Sequence, residues 1–170
     1  MFDSCVLGVD PGVAATGLAV VSQPGGRPVV VWSDTARTPA GLEEPLRLRR
    51  LFEAVREAIA THRPQSMAVE RVMWGQNTTS ALGVARATGV IMLGAADAGI
   101  PVEEYAPLEV KMAITGMGNA DKRQVRDALV RIHGISDVPE QADAADAVAV
   151  AVCHLQQSRM RLLARRAGVR

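Results

Sequence analysis

Four carboxylates stand out by type and placement. Asp10 closes the apolar run Cys5–Val9 immediately before Pro11-Gly12, and Glu70 closes the short apolar run Met67-Ala68-Val69. Each acid would project from a sheet edge into a turn. Asp143 and Asp146 are three residues apart at the start of an Ala-rich helix, so they leave one helix face about one turn from each other. Ordinary explanations exist: Asp10 capping the amides of Gly12 or Val13, and Asp143 and Asp146 complementing a helix dipole. The alternative is that all four converge. Clustered carboxylates repel and raise one another's pKa unless a divalent cation holds them, and hard oxygen ligands suit Mg²⁺ or Mn²⁺. Two such ions about 4 Å apart can activate a water and stabilise the leaving oxygen in phosphodiester hydrolysis. The spacing is compatible with convergence without requiring it.

The elements that would position these acids follow from hydrophobic periodicity. Cys5–Val9, Gly17–Val21 and Val29–Trp32 are β-prone runs separated by Pro/Gly turns, predicting an antiparallel meander. Between Leu42 and Thr61, Leu51, Phe52, Val55, Ala58 and Ile59 recur at helical spacing, with Arg and Glu on the other positions. Strand Met67–Val69 then leads to a long helix over Thr78–Ala98, and strand Val102–Tyr105 to a helix over Leu108–Ile114. The loop Thr115–Ala120 precedes an amphipathic helix over Asp121–His133, and a last helix runs from near Gln141 beyond Leu155. The order βββαβαβααα predicts an α/β fold, a five-stranded mixed sheet with helices on both faces.

The 170 residues fit a single domain spanning the chain, with residues after about 158 as a basic tail. Hydrophobic residues at 48% and charged residues at 22% support a packed core and exclude a disordered tail protein. The net charge of +1 means that a polyanion must be held by a local patch. Residues 1–110 carry nine Arg against twelve acids, whereas residues 111–170 carry ten Lys plus Arg against six, so the C-terminal third is the basic end. Lys111 and Lys122 are the only lysines. Cys5 and Cys153 lie in apolar stretches without metal-ligand spacing and are expected to be reduced core residues. No secretory signal or run of about 18 apolar residues is present, which points to a soluble, cytoplasmic protein with no membrane partner.

Taken together, Val6-Leu7-Gly8-Val9-Asp10-Pro11-Gly12 with Thr16-Gly17, then Ala68-Val69-Glu70-Arg71-Val72, then Val110-Lys111 with Gly116 and Gly118-Asn119-Ala120-Asp121-Lys122, then Gln141-Ala142-Asp143-Ala144-Ala145-Asp146-Ala147, closely resemble the RuvC family of Holliday junction resolvases. The likeness spans nearly the whole chain, in order and in register. It implies a ribonuclease-H-like fold, a homodimer, and Mg²⁺- or Mn²⁺-dependent paired nicking of four-way DNA junctions in recombination and repair, with two ions per site. Cleavage would leave 5′-phosphate and 3′-hydroxyl ends. Carried over residue by residue, Asp10, Glu70, Asp143 and Asp146 would be the catalytic metal-binding acids. Some relatives carry His at the position matching Asp143, which leaves direct ligation and general-base action both open there. Lys111 and Lys122 match positions that contact the DNA backbone.

One position departs from the family pattern. An aromatic residue usually stands three after the glutamate, to stack at the opened branch point; here that residue is Met73, and Trp74 follows. Either the indole stacks or Met73 acts as an apolar wedge. Arg71 is expected to be a further phosphate contact and Arg86 to be solvated, whereas the run Arg159, Arg161, Arg165, Arg166 and Arg170 reads equally well as a grip on DNA arms or as a solvated helix end. His62, His133 and His154 lack ligand spacing and are expected to be structural. The apolar, small-residue helix over Thr78–Ala98 is the expected dimer interface, with burial inside the monomer as the alternative. The resemblance also implies thymine-rich cut sites and a branch-migration helicase complex, on which the residues are silent.

Three other function classes share some of these features. Asp10-Pro-Gly with Thr16-Gly17 also resembles the phosphate loop of actin-like and sugar-kinase-like ATPases, but that architecture needs two such domains. A non-catalytic DNA-binding module has no use for four retained acids. A related nuclease acting on RNA in hybrids differs only in substrate.

Overall fold

The computed structural model describes residues 4–73 and 78–166, with the side chains of 4–73 and 81–158. Five strands form one mixed sheet in the order β3-β2-β1-β4-β5: β1 (Cys5–Asp10), β2 (Ala15–Ser22), β3 (Val29–Arg37), β4 (Ser66–Glu70) and β5 (Val102–Tyr105). The first three are antiparallel, as the Pro/Gly turns predict, while β4 and β5 add in parallel to β1. Helices α1 (Glu44–His62) and α2 (Thr78–Asp97) supply the crossovers before β4 and β5, and α3 (Pro107–Thr115), α4 (Lys122–Arg131) and α5 (Ala142–Arg166) follow. This is the architecture expected from the sequence, with β3 longer than expected because it pairs with β2 as far as Arg37.

Side-chain alternation along the strands divides the core in two. Leu7, Val9, Leu18, Val20, Met67 and Val69 face α1 and α2 and pack with Val55, Ile59, Ile91 and Ala95. Val6, Ala19, Val21, Ala68 and Tyr105 face the other way and pack under α3, α4 and α5. Because the period is two, Gly8 and Asp10 share the face of Val6, and Glu70 shares the face of Ala68. Both acids therefore lie on the α5 side.

The seat of α5 depends on two missing side chains. A Cβ on Gly8 would stand 2.1 Å from the Ala147 carbonyl oxygen, and one on Gly17 would stand 1.9 Å from that of Asp143. Only glycine lets the helix backbone lie this close to β1 and β2. Helix α2 leans on α1 with Ala87, Ile91 and Ala95 buried, yet Leu82 and Leu93 on its outer side are 46% and 53% exposed. No helix among the described residues is long and apolar enough to cross a membrane.

Candidate active site

Register brings the acids together. Asp10 pairs with Gly17 across β1 and β2, and Gly17 is where the backbone of Asp143 rests. Val9 pairs with Val69 in the parallel ladder, so Asp10 and Glu70 end adjacent strands side by side. The first turns of α5 thus set Asp143 and Asp146 over the C-terminal ends of β1 and β4. A cleft of about 300 Å³ opens there, lined by Asp10, Glu70, Lys111, Lys122 and Asp146, with Pro107, Val110, Val125 and Ala149 as its apolar wall. Asp143 stands just outside that lining but still acts electrostatically on Asp10.

The carboxylates behave as one charge cluster. Burial, then repulsion from Glu70, Asp146 and Asp143, pushes Asp10 up to about 8. Burial and Asp146 also raise Glu70, opposed by a hydrogen bond from Asp10 and by the charges of Lys122 and Lys111. Protonated Asp10 therefore donates to the Glu70 carboxylate. On the other side of the cleft, Lys122 Nζ donates to Asp146 Oδ2 at 2.6 Å, and this contact raises the lysine pKa. A shared proton and one ammonium thus offset part of the cluster's negative charge. Among the described residues no three acidic, His or Cys side chains already form a closed ion cage. The donor set is nevertheless all hard oxygen, and its excess negative charge is what a divalent cation would relieve in place of the proton and the ammonium.

Both lysines sit on elements built to present them. Pro107 starts α3, and Glu109 Oε2 accepts from the Ala106 amide at 2.7 Å, closing its first turn below Lys111. Asp121 caps α4 by accepting from the Gln124 amide at 2.8 Å, while Gln124 Oε1 accepts from the Asp121 amide at 2.8 Å. Lys122 is the first residue of that helix. Arg126, further along α4, donates to the carbonyls of Val138 and Pro139 and so ties down the segment that leads into α5. This clamp carries no signal in the sequence, where a lone Arg on an amphipathic helix looks solvated.

The turn after Asp10 is equally fixed. Buried Thr16 donates to the Gly12 carbonyl at 2.7 Å, and Thr38 Oγ1 donates to the Val13 carbonyl while accepting from Arg47 Nε at 2.8 Å. Gly83 of α2 lets Val13 pack against the helix. Thr16 lies in the motif quoted above; Thr38 and Arg47 carry no local signal.

Of the remaining expected site residues, Arg71 is exposed at the end of β4 and its guanidinium reaches the Glu104 carbonyl at 3.4 Å. Met73 is 61% exposed, and Trp74 lies outside the described residues. Arg86 pairs with Glu44 at 2.6 Å, tying α2 to α1. The histidines are structural: His62 stacks on Trp32, His133 bonds the Ile114 carbonyl and Gln156, and His154 bonds Ser66 and Tyr105. Cys5 and Cys153 are both free thiols, Cys153 fully buried and Cys5 partly so.

A five-stranded sheet with carboxylates at the ends of its two central parallel strands, answered by two more from the last helix, is the arrangement of a metal-dependent nuclease of the ribonuclease-H-like fold. Comparison with known proteins narrows this. The model of the family described as "Crossover junction endodeoxyribonuclease RuvC" matches residues 6–154, and the chain belongs to that family. It is 43% identical over 155 residues to the RuvC of Syntrophomonas wolfei, covering 91% of this chain and 90% of that one. Against the RuvC of Rhodococcus jostii it is 48% identical over 156 residues, covering 91% and 82% respectively. Among solved structures it is similar to Thermus thermophilus RuvC in complex with a Holliday junction substrate, with a TM-score of 0.85, 31% identity, and coverage of 92% and 96%.

Proposed function

We propose that this chain resolves four-way DNA junctions by paired, symmetric nicks on opposing strands. The observation that carries the reading is the convergence of Asp10, Glu70 and Asp146 on one cleft edged by Lys111 and Lys122, in a chain whose structural neighbour is a junction complex. Asp10, Glu70, Asp143 and Asp146 would hold two Mg²⁺ or Mn²⁺ ions. When bound, these supply the positive charge that activates the attacking water and offsets charge on the leaving 3′ oxygen. The carboxylates fix the cleft's charge, and a bound cation would take the place of the Asp10 proton, which would pass to solvent. Lys122 exchanges Asp146 for a phosphate oxygen, and Lys111 takes a second, which seats the strand over the acids. Asp143, at the rim, either completes the ligand set or takes a proton from the attacking water. The products are a 5′-phosphate and a 3′-hydroxyl.

A junction is roughly two-fold symmetric, so two equivalent sites call for a C2 dimer. The outer side of α2, with Leu82 and Leu93 exposed, is the surface available for it. Arg71 contacts the backbone at the crossover, where Met73 or Trp74 occupies the opened branch point. A branch-migration helicase complex is a further proposed partner. The test is a substrate panel in Mg²⁺ or Mn²⁺: mobile junction, linear duplex and RNA–DNA hybrid. Cutting of the junction alone supports the reading; preferential cutting of the hybrid or of duplex overturns it.

A further inference from the structure

The loop between the two cleft lysines is built, not slack. Thr115 Oγ1 donates to the Lys111 carbonyl at 2.8 Å and accepts from the Met117 amide at 3.0 Å, while Gly116 takes a left-handed conformation at φ 74°. His133 Nε2 holds the Ile114 carbonyl at 2.9 Å on the near side, and Ala120 is buried on the far side, just before the Asp121 cap. Gly118 seats on Leu108 and Met112, where a Cβ would come within 2.4 Å of Leu108 Cδ1. The result is a turn anchored at both ends and carrying one large apolar side chain at its tip. That side chain, Met117, is 46% exposed. Neighbouring Leu108 and Met112, against which Gly118 seats, are 61% and 50% exposed, so the tip joins an apolar patch on the helix that carries Lys111.

An apolar tip on the loop that joins the two lysine-bearing helices has an obvious polyanionic counterpart. The lysines meet phosphates, and the thioether then meets what lies between rows of phosphates, namely deoxyribose and base edges. Flexible, polarisable methionine is among the side chains that wedge between base steps, and the cost of opening a step depends on its sequence. We propose that Met117 is a specificity-determining residue, packing against the sugar and base edges beside the cut phosphate so that easily opened steps are cut faster. This rests on the junction-nuclease reading above.

The test compares the unaltered chain with Met117→Ala and Met117→Leu on junctions that differ only in the base pairs flanking the cut. The exposed position makes both variants fold normally, which a thermal melt verifies. The inference expects Met117→Ala to lose about tenfold in kcat/KM on the best junction and to narrow the ratio of best to worst sequence at least fivefold, with Met117→Leu recovering most of both. A 2-aminopurine beside the cut, whose fluorescence rises on binding the unaltered chain in Ca²⁺, rises less with Met117→Ala. Unchanged rate, preference and fluorescence in Met117→Ala overturn this inference alone. Failure of the unaltered chain to cut any junction overturns the functional reading and this inference with it.

Discussion

Replacing Asp10 by Asn should stabilise the cation-free protein, by an amount that depends on pH. The carboxyl would ionise near 3.8 in the unfolded chain but is held up to about 8 in the fold, by burial and by Glu70, Asp146 and Asp143. The folded state therefore keeps a proton that the unfolded chain releases. For a raised acid, its contribution to stability is fully present below about pH 4 and is lost as pH rises towards 8. From pH 4 to pH 7 the loss reaches at most about 4 kcal/mol, at roughly 1.4 kcal/mol per unit. Because the carboxyl faces an open cleft, water screens part of this and leaves about 2 kcal/mol. An amide is the right probe: it is isosteric, carries no charge and still donates to Glu70. In EDTA, thermal melts of Asp10→Asn and the unaltered chain should coincide near pH 4.5 and diverge by about 6 °C at pH 8, the variant melting higher. Parallel melting curves at every pH, or a variant that melts lower at pH 8, would refute the charge-cluster argument.

Mg²⁺ or Mn²⁺ should raise the melting temperature of the unaltered chain more at pH 8 than at pH 5, since protons and cations compete for the same carboxylates, and should lose most of that effect in Asp10→Asn. Lys122→Gln should bind junctions more weakly with a salt dependence about one counterion shallower, read from a gel-shift titration at several ionic strengths. Gly17→Ala would place a methyl 1.9 Å from the Asp143 carbonyl oxygen, so urea titration should show a loss of about 3 kcal/mol or more and the cleft should lose activity as α5 lifts away. Arg126→Ala leaves two loop carbonyls without their donor and should cost about 1–3 kcal/mol by the same titration.

Much of the fold was legible because it depends on local patterns. Continuous apolar runs at Val6–Val9 and Met67–Val69 marked buried strands, and Pro11-Gly12 and Pro24-Gly25-Gly26 specified the turns of the meander. Asp10 and Glu70 were visible as acids closing such strands, and Asp143 and Asp146 as a one-face pair. Their convergence was not local: it depends on the Gly17 gap and on the Val9–Val69 register, neither of which periodicity reveals. The resemblance supplied it instead. Long-range devices stayed hidden for the same reason. The Arg126 clamp, the Thr38–Arg47 brace behind the Asp10 turn and the Lys122–Asp146 pair each join residues that are distant in sequence. Arg86 shows the converse, since an isolated cation that could touch phosphate is held by Glu44 across two helices.

One carboxylate cluster is expected to cut junction DNA. A single mobile four-way junction, end-labelled on both opposing strands, tests it when incubated in Mg²⁺ with the unaltered chain, Asp10→Asn, Glu70→Gln and Asp146→Asn under single turnover. Symmetric nicks by the unaltered chain, lost in all three variants while each still binds the junction, are the expected result. Nicking that survives in any of the three, or a junction bound tightly and left uncut by the unaltered chain, would contradict it.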